Sequence, residues 1–89
     1  MIEERETLLE FPCDFPIKVF GLANAEFESV AYTIVRKHVS ELAENAIAMR
    51  YSKDSKYLAL TIVVKVSSQA QLDAIYSELS AHKAILMAL

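Results

Sequence analysis

Eighty-nine residues, with 54% hydrophobic side chains, one glycine and two prolines, make one compact α+β-sized domain and exclude a disordered or loop-rich chain. A formal net charge of −3, with the nine lysines and arginines scattered along the chain, gives no footprint for nucleic-acid phosphates or an anionic membrane surface. The acidic start Met1-Ile-Glu-Glu-Arg-Glu6 and the lack of an apolar run of ~18 residues point away from a secretory leader or membrane span, and a lone Cys13 fits a reducing, cytoplasmic setting.

Taken in order, residues 1–15 read as an N-terminal arm and extended lead-in to a single domain spanning residues 1–89. Leu8, Leu9 and Phe11 of the arm are expected to fold onto the body. Pro12 and Pro16 bracket Cys13-Asp14-Phe15, and proline holds the residue before it extended. The first strand is expected at Ile17-Lys-Val-Phe20, with Ile17 and Val19 inward, ending at Gly21 where a positive φ or a close backbone approach is plausible. Asn24 offers an N-cap, and Glu26 and Glu28 suit the positive end of a helix. Phe27, Val30, Ala31, Ile34, Val35 and His38 then recur at helical spacing, so the helix should stop near Val39 or one turn later.

Ala46 to Tyr51 and Tyr57 to Val66, joined by the polar Ser52-Lys-Asp-Ser-Lys56, read as a hairpin. The second run is the clearest element of the chain. Leu58, Leu60, Ile62, Val64 and Val66 alternate with Tyr57, Ala59, Thr61, Val63 and Lys65, so one face is buried and the other is still largely apolar. Ser68-Gln-Ala-Gln71 reads as a capping box opening a second helix with Leu72, Ile75, Tyr76 and Leu79 inward. Ala84 to Leu89 is expected to be the last strand. The βαββαβ order predicts a ferredoxin-like sandwich, a four-stranded antiparallel sheet of order 4-1-3-2 with both helices on one face.

Leu8-Leu-Glu-Phe-Pro12, Phe15 followed by Lys18-Val19 and Gly21, the Ser52 to Tyr57 turn, Ile75-Tyr-Ser-Glu-Leu79 and Leu86-Met-Ala-Leu89 resemble the YbeD-like family of small bacterial proteins. The likeness runs from Leu8 to the end of the chain and departs at Cys13-Asp14 and at the glycine-free turn Asp54-Ser55. It implies a ferredoxin-like, ACT-like fold and a regulatory role, with lipoate or amino-acid metabolism as context. In ACT-like modules a small effector binds after the first strand, which here makes Gly21 and Asn24 a candidate loop for an amino acid or small acid.

The residues offer little catalytic chemistry. His38 and His82 fall at the two helix ends, no metal-ligand spacing occurs, and Cys13 has no basic neighbour in sequence. No catalytic residue, metal ligand or cofactor is therefore expected. An RNA-recognition motif would show two or three aromatics on the open sheet face, where Lys18, Phe20 and Lys65 are a poor stacking platform. Phe20, Ala59, Thr61, Val63 and, from the last strand, Leu86 and Ala88 instead form a candidate protein-interaction face, for a partner or for a second copy.

Overall fold

A computed structural model describes residues 10–43 and 45–89. The elements are β1 (Cys13–Leu22), α1 (Ala25–His38), β2 (Ile47–Tyr51), β3 (Tyr57–Val66), α2 (Gln69–Ala81) and β4 (Met87–Ala88). The strands form one antiparallel sheet in the order β2-β3-β1-β4, the expected order counted from the other edge.

β3 is interior in this order and supplies five of the sheet's seven buried hydrophobic side chains, the other two being Ile17 and Val19 of β1. Leu58, Leu60, Ile62, Val64 and Val66 are at most 3% exposed. They meet Ile17 and Val19 of β1, Phe27, Ala31, Ile34 and Val35 of α1, and Leu72, Ile75 and Leu79 of α2. Each such side chain contributes about 1.5–3 kcal/mol by leaving water, so this layer holds the domain together.

Four local expectations are revised. β1 begins at Cys13, not Ile17, and pairs with β3 from Cys13↔Val66 to Leu22↔Tyr57. Pro16 is tolerated inside it because Lys18 directs its N–H and C=O toward Leu89. Two residues earlier the same edge has passed β4, so among the described residues no strand lies where the N–H that proline lacks would point. The strand also continues through Gly21, which has no positive φ. A Cβ there would lie 2.3 Å from the Phe27 ring, so close approach alone excludes a side chain.

The capping box forms in altered shape. Ser68 Oγ accepts the Gln71 N–H at 3.1 Å, but Gln71 Oε1 reaches back to the Ser67 N–H at 2.8 Å. The amide's Nε2 then donates to the His38 carbonyl at 2.7 Å, tying the start of α2 to the end of α1. α1 stops at His38, with Val39 buried in an extended conformation. Finally, β4 is shorter than expected. His82 to Ala84 form a turn that lowers Ile85 into the core, leaving Met87–Ala88 as the paired segment. Leu8 and Leu9 lie outside the described residues, whereas Phe11 packs against the core.

Candidate functional site

Because side chains alternate across the pleat, the residues between the core positions share the second sheet face. Register sets them in rows. Arg50, Ala59, Phe20 and Met87 lie abreast across all four strands, and Ala48, Thr61, Lys18 and Leu89 form the next row. Tyr57 sits beside Leu22 at one end of the face. At the other end come Val63 beside Pro16 and then Lys65 beside Asp14.

Both helices pack on the opposite face, so the apolar members of these rows stay open. Val63 is 41%, Tyr57 43%, Leu22 46% and Met87 52% exposed, while Phe20, Ala59 and Thr61 are half-buried by their neighbours. The structure thus brings together Phe20, Ala59, Thr61 and Val63 as expected, but Leu86 is not their partner in register. It precedes β4 at a bend, donating its N–H to the Phe20 carbonyl at 2.8 Å, and the residue paired with Phe20 is Met87. Ala88 turns to the core side. A one-residue shift in a strand's phase reverses which side chains face out, and the apolar run Ile85 to Leu89 gives no local signal of it.

In the candidate effector loop most of the backbone groups serve the fold. Gly21 pairs with Leu58 and carries the Phe27 ring against its Cα, and Asn24 Oδ1 accepts the Phe27 N–H at 2.8 Å. The Gly21 backbone and the Asn24 N–H, which goes to the Leu22 carbonyl at 2.8 Å, are thus engaged within the fold, and the Asn24 Nδ2 amide is the remaining donor of the pair. The two histidines are likewise engaged. His38 Nε2 meets Glu78 Oε1 at 2.8 Å, and His82 Nδ1 accepts the Ala84 N–H at 3.1 Å. Lys37 joins the same carboxylate, and its hydrogen bond, followed by that of His38, holds Glu78 below the usual carboxylate range. In the hairpin turn, the Ser52 hydroxyl and then the Lys56 N–H lower the pKa of Asp54 in the same way. Cys13 is a half-buried β1 residue packed against the core. No helix among the described residues is long and apolar enough to cross a membrane.

Residues 6–89 match the family model described as "Protein of unknown function (DUF493)". The chain belongs to the DUF493 family. Its relatives include a UPF0250 protein of Chromobacterium violaceum, 39% identical over 89 residues and covering 100% of both chains. Another is the UPF0250 protein of Paraburkholderia phytofirmans, 38% identical with the same full coverage. Among solved structures, that of protein HP0495 from H. pylori superposes with a TM-score of 0.70 at 14% identity, covering 91% of this chain and 85% of that one. At that identity the likeness shows a shared fold.

One feature of this DUF493 chain escapes sequence reasoning. The inward side of β2 carries Ile47, Met49 and Tyr51, yet Met49 and Tyr51 are 55% and 53% exposed because α1 packs over β1 and does not reach the sheet edge. With Tyr32 of α1 they line a mostly apolar groove of about 620 Å³. The alternation in Ile47 to Tyr51 is visible in the sequence, but how far a helix lies from an edge strand is set by tertiary packing.

Proposed function

We propose that this DUF493 protein is a non-enzymatic regulatory domain that works by docking a partner protein on its open sheet face. One observation supports this reading above others: Leu22, Tyr57, Phe20, Val63, Met87 and Leu89 share a face that neither helix covers. Apolar side chains gathered this way on a small domain mark interaction surfaces. Arg50 lies on the edge strand and Lys65 and Asp14 at one end of the face, a polar surround, while Lys18 sits within the face between Thr61 and Leu89. Phe20 and Val63 are the central contacts, with Ala59 and Thr61 allowing close approach between them and Met87 extending the patch onto β4.

The test is affinity capture from the native cell with immobilised wild type, Phe20→Glu and Val63→Glu. A glutamate at either position puts charge into the apolar centre without touching the core. The expected result is a specific protein retained by the wild type and depleted at least about tenfold by both variants, a loss of roughly 1.4 kcal/mol or more. Equal retention by all three, with each variant folded, removes the open face from consideration.

A further inference from the structure

We propose that the free edge of β2 is a homodimer interface, in which two copies pair β2 with β2 antiparallel about Met49. This surface is separate from the open face and does not depend on it.

The argument starts from the direction of the backbone groups. Ala46 accepts the Val63 N–H at 2.9 Å, and Ser52 donates its N–H to the Tyr57 carbonyl at 2.9 Å. Hydrogen bonding alternates along an antiparallel pair, so the even-numbered residues of β2 are turned toward β3. Ile47, Met49 and Tyr51 therefore direct their N–H and C=O groups outward at the edge. That outward set is symmetric about Met49. In a twofold antiparallel pairing, Met49 exchanges both hydrogen bonds with Met49 of the second copy, and Ile47 does the same with Tyr51 on either side, so every outward group of the strand finds a partner.

The side chains fit the same register. Ile47, Met49 and Tyr51 project to the core side, so pairing sets Met49 against Met49 and Ile47 against Tyr51 in one apolar row. On the open face Arg50 lies directly opposite Ala48, and no like charges are directly opposed. The axis also carries the two α1–β2 grooves together, with Tyr32 of each copy above the new row. Tyr32, Met49 and Tyr51 are 47%, 55% and 53% exposed, and covering them in both copies removes roughly 600 Å² from water. With the strand backbones and flanking residues added, the contact reaches the lower range of specific interfaces, about 1,000 Å². Among the described residues the other edge has no equivalent, since β4 is Met87–Ala88. An edge strand with this much apolar surface and no bulge or proline in it is a template for pairing.

Sedimentation equilibrium of the full chain, from micromolar to about 0.5 mM, reads the self-association directly. The wild type is expected to dimerise in this range. Met49→Pro deletes an N–H that points to the free edge and none that β3 uses, so it should weaken the dimer at least about tenfold. Val63→Glu should leave the dimer unchanged, and Met49→Pro should leave partner capture by the open face unchanged. A wild type that stays monomeric throughout, or a Met49→Pro variant that dimerises as tightly, overturns the proposal. Should Met49→Pro unfold, oxidative cross-linking in a Cys13→Ala background decides. The Met49 Cα atoms of a hydrogen-bonded pair would be about 5.5 Å apart, within disulfide reach. Met49→Cys must then form covalent dimers faster than Arg50→Cys, and equal or slower cross-linking rejects the register.

Discussion

Ile62 and Val63 are adjacent residues of the same strand, similar in size and hydrophobicity, and the fold treats them oppositely. Ile62 is 0% exposed between the sheet and both helices, and Val63 is 41% exposed on a face that neither helix covers. The pleat alone separates them. A continuous apolar strand can therefore serve two purposes, one face holding the domain together and the other left for contact, and the sequence of β3 marks the difference only by Thr61 and Lys65.

The comparison can be broken hardest from the core side. Ile62→Ala should cost about 2–5 kcal/mol, seen as a large fall in the denaturation midpoint, whereas Val63→Ala should stay within about 1 kcal/mol of wild type. Gly21→Ala is expected to be nearly as damaging, by about 2–3 kcal/mol, because its Cβ would enter the Phe27 ring. Adding Phe27→Leu to it should recover part of the loss, and strict additivity of the two would argue against a clash. A smaller gain is expected at the hairpin, where Ser55 has φ 62°. Ser55→Gly relieves the left-handed strain and should stabilise by up to about 1 kcal/mol in thermal melts.

Smallest is the effect of Glu78, which links the helices at the surface. Its carboxyl is held below the ordinary range by Lys37 first and His38 second. Such a group contributes stability in full above its unfolded pKa and loses it as pH falls through the lowered folded value. Wild type and Glu78→Gln should therefore differ near neutral pH and converge in acid, and a difference that persists below both values would assign the change to something other than this carboxylate.

Much of this was legible before the fold was known. Period-two burial in Tyr57 to Val66, the Asn24 cap and the stripe from Phe27 to Val35 are local signals, and the structure bears out all three. Gly21 was recognisable as special, although only the position of the Phe27 ring explains why. The sequence did not reveal that Pro16 lies within β1, that Met87 replaces Leu86 beside Phe20, or that Gln71 reaches across to His38. Each of these depends on where a second segment ends in space. The β2 groove was missed for the same reason, because strand alternation announces an inward face but not whether a helix covers it.

The two-face account is tested most directly by measuring Val63→Glu twice, once for thermal stability and once for capture of the open-face partner. The account predicts a melting temperature within a few degrees of wild type, consistent with a surface change of about 0.5 kcal/mol, together with loss of the captured protein. A variant that melts normally and still retains the partner in full would contradict it.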